Sequence, residues 1–260
     1  MIPKIIHYCW FGRNPKPKLA EKCIKSWKKY CKSYEIIEWN EDNFDISECP
    51  LYVRQAYKAK KWAFVTDYVR LKVVYNNGGI YLDTDVQIIK PLDDLLGYNS
   101  FFGFQNDYEV NTGLGFGSIK GSIILFELLQ QYENIPFLIE DGEYDILACP
   151  TRNTEVFLKH GLIQNGANQS LDDGTKVFAA EYFCPISYET LKKEVTKNTY
   201  SIHWFSASWH TKQENKEYQK RIKAKRRIDR KHYLKTFPNR CLINILGNEK
   251  YENLKQKLKK

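Results

Sequence analysis

The sequence has no Cys-x-x-Cys pair, no apolar run approaching the length of a membrane span, no internal repeat and no low-complexity linker. Its seven cysteines are scattered and odd in number. Neither a disulfide framework nor a zinc site is indicated, and a reducing compartment is the simpler setting. The short apolar run at the N-terminus carries Lys4 and lacks a small-residue cleavage site, so no secretory signal is read there. Three glycines fall in Asn111–Gly117, but without the Gly-x-x-x-x-Gly-Lys-Ser/Thr order of a phosphate loop or the spacing of a dinucleotide-binding turn. These absences exclude a membrane-spanning chain, a disulfide-stapled secreted domain and the two common glycine-rich nucleotide folds.

What remains is a globular chain of 260 residues with 43% hydrophobic and 15% aromatic content and a formal net charge of +9. That length suits one large α/β domain or a domain with an appendage. The organising stretch is Ala63 to Pro91. Trp62, Val65, Val69 and Val73 recur at helical spacing, and Phe64, Leu71 and Val74 make the other faces apolar too, so a buried helix is expected. Asp67 and Arg70 lie three apart on one face of it. Asn76-Asn77-Gly78-Gly79 ends the helix, since glycine supplies the backbone that a C-terminal cap needs. Ile80-Tyr81-Leu82 then reads as a strand running into Asp83-Thr84-Asp85.

Residues i and i+2 of extended backbone point to one side. Asp83 and Asp85 would therefore converge, with Thr84 facing away. Two carboxylates at the carboxyl end of a buried strand suit a hard divalent cation such as Mn²⁺ or Mg²⁺, which prefers oxygen and shares it with phosphates. An acidic turn without a metal is the competing reading.

Asp67-x-x-Arg70, Gly78-Gly79-Ile80-Tyr81-Leu82 and Asp83-x-Asp85 resemble the sugar-binding region of the DXD-containing glycosyltransferases called family 32. The block is also similar to the glucosyltransferase domain of large clostridial toxins. The resemblance runs over roughly Ile2 to His210. It implies an α/β fold of the GT-A type, with a central, mostly parallel sheet, spanning 1–210. A basic helical C-terminal extension would follow over 211–260. It further implies a hexosyltransferase that uses a nucleotide-sugar donor, UDP-linked, and retains anomeric configuration. By the same resemblance Asp67, Arg70 and Asp83 would be catalytic, with Asp67 and Arg70 holding the transferred sugar.

Two further blocks carry the resemblance. Ile2 to Trp10 reads as a first strand, followed by the loop Phe11 to Pro15. There Trp10 would stack on the nucleotide base and His7 would support the loop; a core tryptophan and a hydrogen-bonded core histidine are the alternatives. Tyr200 to His210 reads as a final strand and a serine-rich turn. The family pattern places His203 in the metal shell with Asp83 and Asp85, and Trp209, beside Ser208, against the diphosphate. Cys149-Pro150 stands where the family carries a Gly-Pro turn, a departure that weakens any role for Thr151 or Arg152.

Between these blocks, Pro17 to Cys31 is expected to be a surface helix with Leu19, Cys23, Ile24 and Trp27 inward and lysines outward. Tyr34 to Trp39 completes a β-α-β unit. Phe101–Gln105 and Val110–Ser118 read as strands, with Asn111 a candidate for a sugar hydroxyl. Ser122 and Thr151 read as helix caps, and His160 as a helix C-terminal residue. Lys212 to Lys235 is dense in lysine and arginine. It is either a solvated face or a contact for anionic lipid; no nucleic-acid-binding motif accompanies it. A saccharide acceptor, polyprenyl-diphosphate-linked and used in capsule or surface-polysaccharide assembly, would account for such a tail. The expected place is then the cytoplasmic side, peripheral to the inner face of the cell membrane. A metal-dependent phosphohydrolase or nuclease using the same aspartates is the rival enzyme class.

Overall fold

The computed structural model describes residues 1–139, 142–187, 192–206 and 220. The chain divides into two units, Met1–Tyr188 with Lys192–Trp209, and Glu189–Leu191 with His210–Lys260. All of the second but Lys220 lies outside the described residues.

Nine strands and six α-helices are present among the described residues. The chain opens β1 (Ile5–Cys9), α1 (Lys18–Tyr30) and β2 (Glu35–Trp39), and β2 lies parallel to β1, so the expected β-α-β start is observed. Then come α2 (Leu51–Lys58), α3 (Trp62–Asn77), β3 (Gly79–Tyr81) and β4 (Val86–Ile88). β5 (Ser100–Gly103), β6 (Phe116–Ser118), α4 (Ile123–Gln130) and α5 (Cys149–Lys159) follow. The last elements are β7 (Gln169–Ser170), β8 (Lys176–Phe178), α6 (Ala180–Phe183) and β9 (Ser201–His203).

Seven strands form one sheet in the order β2-β1-β3-β6-β5-β8-β7. β2, β1, β3, β5 and β8 run one way, and β6 and β7 run against them. The expectation of an α/β fold with a mostly parallel central sheet is met. Alternation along the strands splits the core into two layers. Tyr81, Phe102, Phe116 and Val177 face α2, α3, α4 and α5. Ile80, Phe101 and Phe178 face the other way, with Cys23 and Trp27 of α1 and the β4 residues Val86 and Ile88. Helix α3 is the hub of the first layer, burying Phe64, Val65, Val69, Leu71, Val73 and Val74. Each of these apolar side chains adds about 1.5–3 kcal/mol when it leaves water.

Several expectations need correcting. The stretch Val110–Ser118 is not one strand. Asn111 accepts a hydrogen bond from the Gly113 N–H and caps a 3₁₀ turn over Thr112–Leu114, and only Phe116–Ser118 joins the sheet. Local side-chain bonding of this kind competes with the sheet ladder. Ser122 stands at the N-cap of α4, but its hydroxyl meets Ser100 Oγ and does not cap. Thr151 is likewise no cap: Cys149 and Pro150 already lie in α5, and the Thr151 hydroxyl donates to Glu109. The final strand β9 does not enter the central sheet; it pairs antiparallel with β4 in a separate two-stranded ribbon.

Candidate active site

The site begins with how α3 stops. Gly78 (φ +69°) returns its N–H to Val74 O at 2.7 Å and closes the helix. Gly79 (φ +107°) lets the chain turn into β3, and a Cβ there would sit 2.8 Å from Ile5 O and 2.9 Å from His7 Nε2. Any side chain at Gly79 would thus push β3 away from β1. Inserted between β1 and β6, β3 carries the chain to Leu82, whose N–H reaches His7 O, and on to Asp83.

Asp83 and Asp85 do not converge through strand pleat, as expected, but through a turn. Val86 N–H closes back on Asp83 O at 2.9 Å, and Thr84 and Asp85 occupy the bend. The ribbon then brings His203 alongside, because β4 and β9 pair with Val86 opposite His203. His203 Nε2 lies 3.2 Å from Asp85 Oδ1, and Ser206 N–H donates to Asp85 Oδ2 at 2.8 Å. One ligand atom from each of Asp83, Asp85 and His203 lies within 4.8 Å of the other two. Two carboxylates and an imidazole so placed could hold a divalent cation, and the mixed oxygen and nitrogen set suits Mn²⁺ better than Mg²⁺. Among the described residues the buried His203 Nδ1 has no hydrogen-bond partner; the ring meets Asp85 through Nε2 and has Phe205 packed edge-on at 4.2 Å.

Arg70 joins this cluster to Asp67. Its Nη1 is 3.5 Å from Asp83 Oδ1, and its Nη2 meets both the Asp67 carboxylate and, at 2.9 Å, Cys149 Sγ. Tyr81 donates its hydroxyl to Asp83 Oδ1 at 2.8 Å. Gly113 closes the other side, where a Cβ would stand 2.6 Å from Asp83 Oδ2.

The charges are unequally placed. Burial pushes the Asp83 carboxyl up to about 6, against the pull of Arg70. Burial would raise Asp85 too, but the facing His203 and the Ser206 N–H override it and hold Asp85 well below the usual carboxylate range. For His203, burial opposes the charge, while Asp85 wins and raises it. The surroundings thus favour the ionised form of Asp85 and the protonated form of His203, while burial favours the neutral form of Asp83.

Five of the candidate residues, Asp67, Arg70, Asp83, Asp85 and His203, are thus brought together. Trp10 stands half-buried beyond the end of β1, its indole N–H on Asn14 O at 2.6 Å. His7 is fully buried, with Nδ1 accepting from Trp39 and Nε2 on Gly78 O at 2.8 Å. It offers no nitrogen to a ligand and instead pins the turn from which β3 starts. Asn111 is buried, its amide shared by Gly113 N–H and Gln105. His160 meets Glu127 at 3.1 Å, away from the cluster's members. Ser208 and Trp209 lie outside the described residues.

Tyr81, Gly113, Cys149 and Ser206 touch the cluster without having been anticipated. Tyr81 was readable, since it stands two before Asp83. A strand pattern over Val110–Ser118 conceals Gly113, and nothing in the Cys149-Pro150 pair signals the contact of Cys149 with Arg70.

Residues 17–102 match the family model described as the glycosyltransferase sugar-binding region containing a DXD motif. This segment is a DXD-type glycosyltransferase sugar-binding region. The sugar-binding region includes Asp67, Arg70, Asp83 and Asp85, and a GT-A type fold is in keeping with it. Inositol phosphoceramide mannosyltransferase 3 of Schizosaccharomyces pombe is 28% identical over 139 residues, which cover 52% of this chain and 38% of the relative. Uncharacterized glycosyltransferase L373 of Acanthamoeba polyphaga mimivirus is 34% identical over 111 residues, 39% of this chain and 43% of the relative. The chain thus spans less than half the length of these curated relatives. Among solved structures, PaToxG glycosyltransferase aligns with a TM-score of 0.47 at 19% identity, over 61% of this chain and 69% of that one.

Proposed function

We propose that the protein is a metal-dependent glycosyltransferase that moves a hexose, with retention, from a UDP-sugar to a lipid-linked saccharide or glycolipid. The observation that carries this reading is the convergence within 4.8 Å of Asp83 and Asp85, which lie in the DXD sugar-binding region, with His203, which lies beyond it. When bound, a divalent cation neutralises charge growing on the departing diphosphate. Asp83, Asp85 and His203 would hold it.

The chain's own groups do the rest. Arg70, pinned from both sides by Asp67 and Asp83, presents a fixed cation beside the sugar position, so positioning and electrostatics carry much of the rate. Asp67 would receive hydrogen bonds from sugar hydroxyls. Tyr81 and Gly113 fix the rotamer of Asp83. Trp10 would stack on the base, while Ser208 and Trp209 would contact the diphosphate.

The acceptor assignment takes support from the Schizosaccharomyces pombe relative, an inositol phosphoceramide mannosyltransferase by name. No helix among the described residues is long and apolar enough to cross a membrane. The reading has the enzyme working peripherally, on the cytoplasmic face, in surface-polysaccharide or glycolipid assembly, where a lipid-linked acceptor would be met. Residues 1–210 would be the catalytic part and 211–260 a basic extension that touches anionic lipid.

The test is a panel of nucleotide sugars with and without Mn²⁺, read by donor hydrolysis and tryptophan fluorescence. A UDP-hexose should bind and turn over only with the metal. Cleavage of nucleotides that carry no sugar, with UDP-sugars left intact, would replace the transferase by a phosphohydrolase.

A further inference from the structure

Helix α1 carries a surface that the site does not use. Its inner face differs slightly from expectation: Ala20, Cys23, Ser26 and Trp27 are buried, and Leu19 and Ile24 only flank them. The opposite face is a stripe of Lys18, Lys22, Lys25 and Lys29, at steps of four, three and four, all exposed. None of the four makes an ion pair among the described residues. Glu21 is the single acid of the helix. At one edge stands Trp204, half-buried, with Lys22 5.6 Å and Lys193 5.0 Å from its ring centroid and its indole N–H on Gln87.

The buried face of α1, opposite the lysines, is tied to the site by short hydrogen bonds. Trp27 Nε1 donates to Val86 O at 2.7 Å, and Ile88 N–H donates to Ser26 Oγ at 2.9 Å, so α1 is fastened along β4. Trp204 N–H donates to Asp85 O at 3.1 Å. Asp85, which precedes β4, and His203, which stands opposite Val86, are thus carried on elements fastened to α1.

We infer that the lysine face of α1, with Trp204 at its edge, docks the protein on an anionic bilayer. The inference rests on the reading of the acceptor as lipid-linked. Unpaired lysines on one helix face complement the negative potential of anionic headgroups, and an indole flanked by cations suits the boundary between headgroup and acyl chain. The helix carries no arginine, the side chain that grips phosphate pairs bidentately, which favours a diffuse lipid surface over a nucleic acid. Docked in this way, the edge of the site bearing Asp85 would lie where a membrane-held acceptor ends.

The experiment uses the full chain and phosphatidylcholine vesicles with or without phosphatidylglycerol, read by co-sedimentation. One variant combines K18Q, K22Q, K25Q and K29Q. A control of equal charge change combines K58Q, K60Q, K120Q and K159Q, four exposed lysines on other elements. The wild type should bind only vesicles with phosphatidylglycerol. The α1 variant should bind them about a thousandfold more weakly, given about 1 kcal/mol per basic residue at such a surface, and the control only a few-fold more weakly. Four results would overturn the inference: an α1 variant that binds like wild type, equal weakening in both variants, equal binding to both kinds of vesicle, or tighter binding to duplex DNA than to vesicles with the same α1 dependence. Donor hydrolysis without vesicles reads the proposed reaction separately. Its failure with α1-dependent vesicle binding intact would count against the transferase and not against the docking face.

Discussion

His203 reaches Asp85 at 3.2 Å across a two-stranded ribbon that lies outside the central sheet. The pairing of Val86 with His203 sets that distance, so the imidazole reaches the acidic turn through backbone register and not through a loop. A side chain from far downstream is thereby held beside the two carboxylates that precede β4.

Metal affinity should rise with pH. A cation needs Asp83 ionised and His203 neutral, yet burial raises Asp83 to about 6 and Asp85 raises His203 above its ordinary value. Below about pH 6 both groups hold protons that the metal must displace. Mn²⁺ titration at several pH values should show weak binding near pH 5.5, tightening as pH passes through 7, with protons released in proportion. Binding independent of pH would contradict this. Tyr81→Phe removes a hydrogen bond that helps keep Asp83 ionised, so it should move the profile to higher pH.

Arg70→Lys should fail as a conservative change. The guanidinium serves Asp67 and Cys149 with one nitrogen and Asp83 with the other, and its side chain is only 3% exposed. One ammonium cannot span all three. Breaking a buried ion pair costs about 3–5 kcal/mol, and lysine should forfeit a large part of that. Denaturant melts would show the loss, and the surviving folded fraction should have lowered kcat. A wild-type melting curve with wild-type turnover would remove Arg70 from the centre of the site.

Gly113→Ala probes the close approach to Asp83. The new Cβ would fall 2.6 Å from Asp83 Oδ2 and 3.3 Å from Arg70 Nη1, so the carboxylate must turn. Overpacking of this kind costs about 1–3 kcal/mol. Weaker Mn²⁺ binding should accompany that modest destabilisation. Unaltered metal affinity would mean that Asp83 is free to move.

Much of the frame was legible in the sequence. The all-round apolar pattern of α3, the Asn76–Gly79 stop and the β-α-β opening follow from local rules that tertiary packing did not override. Asp67 and Arg70 were conspicuous as charges in a helix apolar nearly all round. The errors came where side chains take backbone bonds for themselves. Asn111 folds its own stretch into a turn, and Asp83 and Asp85 approach through a bend that a two-residue repeat imitates. Placement of β9 was unreadable because a three-residue strand carries no mark of its partner. Cys149 entered unseen for a similar reason: nothing near it in the chain reports that α5 starts against Arg70.

The most direct test of the central claim is Mn²⁺ binding measured by electron paramagnetic resonance, with and without UDP, in wild type and in Asp85→Ala. The account predicts one ion per wild-type chain, bound more tightly when UDP is present, and no ordered ion in the variant although its circular dichroism is unchanged. Equal Mn²⁺ binding by the two proteins would contradict it.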